Sequence, residues 1–406
     1  MPPLHAQASG KAVRRLPPEL LGDIAAFVDQ RRSDDDDDRD DGDIEWRTKS
    51  VFQDLRNAAA TCRAWRGPFS RQLMQELHVT IGRGIEHETR DLSLARQYPI
   101  HRLLVSLVRD KTAAAKFLFD LLSLTRSSVK ALCVSQEELV LDLFAIKYDL
   151  QNLERLELSG VKSCRLERLG HMRPVLPKLT FLKCRKVRLR ALSLFARGVS
   201  TPALVKIELT CGYDVLFDHE SPTRKALEVE LLTCKGVRLK EFSLILEDDG
   251  LDASSTIIKL FVEGLQACIS LRVFRLSVLS YAGCHGRNHA QELNSVRPLV
   301  AAIPSYAPFH TLCINFSVYA KLGFEVCLVA LLKSLQTSEL PRLVNIQVWF
   351  HMSNARAGQK EAVVWSKTKI DSQLNETNWD ELKSWCDKQN VTIDLNVVGP
   401  LTKSNE

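Results

Sequence analysis

The phrase Leu153-Glu-Arg-Leu156-Glu-Leu158 decides the fold: three leucines separated first by two residues and then by one. In a strand, successive side chains point to opposite faces, so Leu156 and Leu158 share one face and Glu157 takes the other. The phrase returns with apolar substitutes at Leu179-Thr-Phe-Leu182-Lys-Cys184, Leu204-Val-Lys-Ile207-Glu-Leu209 and Leu239-Lys-Glu-Phe242-Ser-Leu244. It continues at Leu271-Arg-Val-Phe274-Arg-Leu276, Phe309-His-Thr-Leu312-Cys-Ile314 and Leu343-Val-Asn-Ile346-Gln-Val348. Toward the N-terminus it starts at Met74, Ile100 and Val129. Successive starts are 26, 29, 24, 26, 25, 35, 32, 38 and 34 residues apart.

Intervals of this size leave room for the crossover that parallel strands require. The longer ones supply visible helices. Ile257, Ile258, Phe261, Val262 and Leu265 form one apolar face after Ser254-Ser255, and Val326, Leu328, Val329, Leu332 and Leu335 form another. Asn378-Trp-Asp-Glu381 has the spacing of a capping box for a helix through Leu382 and Trp385. The alternating residues Val391, Ile393, Leu395 and Val397 then predict a closing strand. The expected fold class is α/β, a ladder of parallel strands with helices outside. An ordinary α/β domain with Leu-rich buried strands is the alternative.

The phrase and its period resemble a leucine-rich repeat array. The resemblance implies a solenoid over residues 79–399, with a short tail at 400–406, whose strand face captures a protein. It also implies Asn or Cys three positions beyond the last strand leucine, where this chain has Val161, Val187 and Gly212, so the repeats are degenerate. Strand alternation places Arg155 with Glu157, Phe181 with Lys183 and Arg185, and Lys206 with Glu208 on the face opposite the leucines. Val273 with Arg275, and Asn345 with Gln347 and Trp349, extend that face. Adjacent Lys186, Arg188 and Arg190 add positive charge. An acidic or phosphorylated target is therefore expected there, against the plain alternative of a solvated charged surface.

The N-terminal part has another rhythm. After a tail at 1–13, Leu16-Pro17-Pro18-Glu19-Leu20-Leu21 suits a helix start, with proline in the first turn and Glu19 near the positive end of the dipole. Leu20, Leu21, Ile24, Phe27 and Val28 recur on one helical face. Phe52, Leu55, Ala58, Ala59 and Cys62 form a second series, and Phe69, Leu73 and Leu77 a third beyond the expected break at Gly67-Pro68. Three short amphipathic helices are predicted; any small helical start to a domain is the plain alternative.

Leu16-Pro17 with Glu19-Leu20-Leu21 and Ile24, followed by Asp54-Leu55 and Cys62-Arg63-Ala64-Trp65-Arg66, resembles an F-box over residues 14–78. The resemblance implies docking to a Skp adaptor, and through it to a cullin-RING ligase, by Leu16, Pro17, Leu20, Leu21, Ile24, Leu55, Cys62 and Trp65. One departure is plain: the insertion at about 30–50 contains the run Ser33-Asp-Asp-Asp-Asp-Asp-Arg-Asp-Asp-Gly-Asp43. Extending a flexible loop from roughly 6 to roughly 26 residues costs only about 1 kcal/mol. A like-charge run of this kind reads first as a solvated, disordered loop and second as a site for a cation or a basic partner.

Residues 34–43 hold eight Asp and one Arg, a charge of −7, so the formal net charge of +6 leaves +13 for the rest of the 406-residue chain. This basic field favours acidic partners and opens a reading as a nucleic-acid-binding protein. With 45% apolar and 26% charged residues the composition is that of a folded protein with a substantial core. The start Met1-Pro-Pro-Leu-His-Ala-Gln lacks an apolar leader, and no run of 18 apolar residues occurs, so an intracellular, cytoplasmic or nuclear protein without a membrane span is expected. The 11 cysteines lack CxxC pairing and read as buried thiols.

Motifs for bond chemistry are missing: there is no GxxxxGK[ST], GxSxG, HExxH or Rossmann glycine fingerprint. Cys284-His285 with His289 reads as a surface loop rather than a zinc site, and Glu247-Asp248-Asp249-Gly250 as a turn rather than a calcium loop. The expectation is a non-enzymatic, cofactor-free substrate-recognition subunit of a Skp-cullin-F-box ubiquitin ligase. Competing readings are a leucine-rich-repeat scaffold outside any ligase, a nucleic-acid-binding protein, and an unrecognised α/β enzyme.

Overall fold

The computed structural model describes residues 20–25, 49–61, 63–81, 85–107, 111–142, 150–165, 175–185, 187, 189–211, 230–248, 256–280, 296–318, 321–352, 362–364 and 379–400. The chain forms two compact units, Met1–Ser135 with Ala145–Arg155, and Gln136–Phe144 with Leu156–Glu406.

In the first unit, residues 20–25 are helical, followed by α1 (Lys49–Thr61) and α2 (Arg63–Leu73). The predicted break at Gly67-Pro68 is corrected: α2 runs through Pro68, and Leu77 belongs to a strand. Proline removes one N–H from a helix ladder. The stacking of Trp65 on Phe69, with ring centroids 4.9 Å apart, spans that position and packs the two turns together. α2 passes into β1 (Glu76–Ile81) through a two-residue turn, in which Met74 N–H donates to Ser70 O and Gln75 N–H to Gln72 O.

Then follow α3 (Ile85–Gln97), β2 (Arg102–Leu107), α4 (Lys111–Thr125) and the start of β3 (Ala131–Asp142). β2 lies between β1 and β3, parallel to both, with Leu77, Leu103 and Leu132 in register and buried. Full helices thus occupy the two shorter intervals from Met74 to Ile100 and from Ile100 to Val129. In α4, Phe117, Leu118, Leu121 and Leu122 repeat at three- and four-residue steps and are buried, the period that faces a helix onto a sheet.

The second unit continues with β4 (Arg155–Arg165), β5 (Phe181–Arg185), α5 (Leu189–Gly198), β6 (Lys206–Cys211), α6 (Glu230–Lys235) and β7 (Glu241–Asp248). It goes on through α7 (Thr256–Gln266), β8 (Val273–Ser280), α8 (Val296–Ala301), β9 (Thr311–Val318), α9 (Lys321–Gln336) and β10 (Asn345–Met352). β11 (Ala362–Val364), α10 (Trp379–Gln389) and β12 (Thr392–Pro400) complete it. The strand order is β4-β5-β6-β7-β8-β9-β10-β12-β11, and among the described pairings only the short β11, on β12, is antiparallel. A short antiparallel strand at the edge limits further strand pairing.

Register turns the repeated phrase into rows. Leu182, Ile207, Phe242, Phe274, Leu312, Ile346 and Ile393 are successive partners across the strands. The Phe242 ring meets Phe274 at 5.8 Å and Phe261 of α7 at 6.3 Å, so this row faces the helices. Helices α5 to α10 pack each against the next. At one step the approach is close: a Cβ on Gly264 of α7 would lie 2.7 Å from Leu232 Cδ1 of α6. Glycine is needed there for space.

The backbone carries a second periodicity. Thr180 O accepts from Val205 N–H and Lys206 N–H, Val205 O from Lys240 and Glu241, and Lys240 O from Arg272 and Val273. Arg272 O accepts from His310 and Thr311, and His310 O from Val344 and Asn345. One carbonyl before each strand therefore holds two donors of the next repeat. Turns lead into these positions: Leu153 N–H donates to Leu150 O, Leu179 to Leu176, Leu204 to Thr201, Leu239 to Gly236, Leu271 to Cys268 and Leu343 to Leu340. The working repeat begins three residues ahead of the phrase. α10 ends in a Schellman motif: Asn390 has φ 55°, Asn390 N–H donates to Asp387 O, and Val391 N–H donates to Cys386 O.

Candidate functional site

Two surfaces carry the residues singled out in the sequence. The first is the helical cluster. Ala25, Leu55 and Phe69 form its centre, with Ile24, Ala58, Ala59, Trp65 and Leu73 packed around them. Residues from all three helical stretches meet there, as the apolar periods require. Leu21 and Leu55 are fully buried, Leu55 at the centre of the cluster. Leu20, by contrast, is 44% exposed. Ile24 and Trp65 are half-buried, and the enclosed Trp65 Nε1 has no hydrogen-bond partner. Leu16, Pro17 and Cys62 lie outside the described residues.

The second surface is the sheet face turned away from the helices. Register makes it three rows of side chains: Phe181, Lys206, Glu241 and their successors; Lys183, Glu208, Ser243, Arg275, Cys313, Gln347 and Asp394; and Arg185, Thr210, Ile245, Ser277, Asn315, Trp349 and Asn396. The middle row is the polar heart of the face. Lys183 Nζ lies 2.7 Å from Glu208 Oε1, with the lysine side chain only 1% exposed. The Cys313 thiol donates to Gln347 Oε1 at 3.2 Å, and one row on Asn315 Nδ2 donates to Ser277 Oγ at 3.0 Å.

This geometry corrects the expected basic patch. Phe181, Lys183 and Glu208 are buried. The Lys183 charge is neutralised by Glu208, while Lys206 pairs with Glu241 at 3.1 Å and sits over the Phe181 ring at 5.5 Å. Arg185 is exposed, and Arg155, Arg275, Gln347 and Trp349 are half-buried. The face is therefore mixed and self-paired, with Arg185 its exposed cation among the residues predicted for target binding. Trp349 Nε1 and Thr210 Oγ1, both in the third row, are enclosed without hydrogen-bond partners. Lys186 and Arg188 lie outside the described residues.

Neither a family model nor a curated protein matches this chain. A crystal structure of a protein from Bacteroides fragilis is similar at 12% identity, over 78% of this chain and 73% of that one, with a TM-score of 0.38.

The ion pairs were the missed feature of the sheet face. Lys183 and Glu208 both stand four positions after the start of their repeat, and Lys206 and Glu241 both stand two positions after theirs. Equal offsets in adjacent repeats become neighbours in a parallel ladder, so opposite charges at one offset were the available signal. Among the described residues, no group of three His, Cys, Asp or Glu side chains is arranged to hold a metal ion, and no helix is long and apolar enough to cross a membrane. Cys284, His285 and His289 lie outside the described residues.

Proposed function

We propose that this chain is the substrate-recognition subunit of a Skp-cullin-F-box ubiquitin ligase, acting inside the cell, with the helical cluster docking the Skp adaptor and the sheet face holding a protein target. What supports the reading above all is the cluster around Leu55 and Phe69, which brings Ile24 and Ala25 together with Trp65. Leu20 offers that cluster an exposed apolar side chain, and Trp65 offers a half-buried ring. The role needs no bond chemistry from this chain. Holding a target beside a ubiquitin-loaded enzyme raises the effective concentration of the reacting groups, which accelerates transfer.

The self-paired sheet face narrows the expected target. With Lys183 and Lys206 already matched by carboxylates, selectivity rests on shape and hydrogen bonds from Gln347, Asn315 and Trp349 more than on net positive charge. Calorimetric titration of the full chain with a Skp adaptor tests the ligase role. Leu20→Asp places a charge in the apolar contact and should abolish binding without disturbing the buried cluster. Undiminished affinity in a folded Leu20→Asp variant would refute it.

A further inference from the structure

The turns that lead into β7, β8 and β9 carry apolar side chains to the surface. Val237 is 51% exposed, Ile269 39% and Tyr306 65%. Val237 and Ile269 each stand two residues before the start of their repeat, and Tyr306 stands three before its own. Two of these turns are tied to each other, Ser270 Oγ donating to Val237 O at 2.5 Å, and Arg238 Nη1 donates to Pro202 O ahead of β6 at 3.1 Å. The exposed apolar side chains recur on three consecutive repeats as a stripe along the rim, Val237 and Ile269 on turns bonded to each other and Tyr306 on the turn of the next repeat. This rim is neither the helical cluster nor the open sheet face.

A second row runs beside it. Lys240, Arg272, His310 and Val344 occupy the position whose carbonyl carries the backbone ladder, and all four are exposed. Arg238 is exposed in the turn before β7, and Arg342 in the turn before β10. Among the described rim residues the acidic side chains are Glu339, and Glu241, which is engaged by Lys206. The rim is thus an apolar stripe with a cationic border.

Spacing identifies what fits. Neighbouring strands are about 4.8 Å apart, so the apolar stripe presents one side chain roughly every 5 Å across the repeats. An α-helix advances 5.4 Å per turn and presents one apolar position per turn along its face. An extended strand presents same-face side chains every ~6.8 Å and loses step within three repeats. We propose that the rim formed by Val237, Ile269 and Tyr306, bordered by Lys240 and Arg272, docks an acidic amphipathic helix of a partner protein. The helix lies across the repeats, with its apolar stripe on the turns and its carboxylates toward the cationic row.

The test uses the full chain and a fluorescein-labelled synthetic helix with Leu at one position per turn and Glu on the flanks, titrated by fluorescence anisotropy. A scrambled peptide of the same composition and anionic phosphatidylserine vesicles are run in parallel. The proposal expects at least tenfold tighter binding of the amphipathic peptide than of the scrambled one. V237S/I269S/Y306S should weaken binding at least tenfold, and so should K240E/R272E. Bound peptide should slow amide exchange at residues 237–240 and 269–273. Equal binding of both peptides, wild-type affinity in the folded triple variant, or rim-dependent binding of the vesicles without the peptide would each overturn it. Because every variant leaves Leu20 and Trp65 in place, adaptor titration of the same proteins separates failure here from failure of the ligase role.

Discussion

Lys183 and Glu208 face each other across β5 and β6, Nζ 2.7 Å from Oε1, with both side chains withdrawn from solvent on a sheet face that the sequence reads as an open basic patch. Removing one partner strands the other's charge in a poorly hydrated place. Lys183→Met should therefore cost about 3–5 kcal/mol, whereas Lys183→Met with Glu208→Leu should recover most of that, since a buried pair often exchanges for apolar side chains at little net cost. Denaturant unfolding of the wild type, both singles and the double variant measures the coupling. A loss below about 1 kcal/mol for Lys183→Met would mean that the pair behaves as a surface one.

Gly264 sets the distance between α6 and α7. Alanine in place of glycine inside a helix ordinarily stabilises by about 1 kcal/mol. Here the added Cβ would stand 2.7 Å from Leu232 Cδ1 and 2.8 Å from Leu232 Cβ, so a flexible side-chain tip cannot relieve it. Overpacking of about 1–3 kcal/mol should outweigh the gain. Gly264→Ala should melt lower than wild type, and Leu232→Ala in the same chain should return part of the loss.

Burial pushes the Cys268 thiol up to about 12, and burial together with Asp387 pushes Cys386 up to about 11, against an ordinary value of 9.0. Unfolding frees both thiols to ionise near that ordinary value. The stability they contribute is fully present below pH 9 and is lost as the pH rises through about 11 to 12. Unfolding free energy between pH 8 and 11 should fall less steeply in Cys268→Ala than in wild type. Iodoacetamide at pH 8 should alkylate the exposed Cys234 well before either.

Replacing residues 31–48 by a short Gly-Ser linker should leave adaptor affinity within about twofold of wild type, because a shorter closure is entropically easier and costs no apolar contact. The comparison is calorimetric, with circular dichroism to establish that the helices persist. A large loss in a helical, monomeric variant would assign the acidic segment to the interface.

The strands were legible in the sequence because each repeat obeys the same local rule. Every start from Met74 to Leu343 precedes one of β1 to β10, and the alternating stretch from Val391 becomes β12. The helices of the shorter intervals were less visible: α3 is too polar to show a long apolar face, and α4 is apolar over most of its circumference. Pro68 misled because the cost of a proline in a helix is local, while the packing of Phe69 against Leu55 and Ala25 that offsets it is tertiary. On the sheet face, alternation gave the direction of Lys183 correctly but said nothing of its surroundings. Burial there depends on neighbours in other repeats, and a single strand does not contain them.

The shared carbonyls at Thr180, Val205, Lys240, Arg272 and His310 make the sheet a ruler. Between those repeats the starts vary from 25 to 38 residues, yet each strand is seated on its neighbour by the same pair of N–H groups. Length changes are absorbed outside the ladder, and the pitch of the strands is set by peptide geometry alone. Insertions can therefore accumulate over evolutionary time in the connecting segments without altering the graduation along which side chains are displayed, so the surface can be re-lettered residue by residue while its scale stays constant.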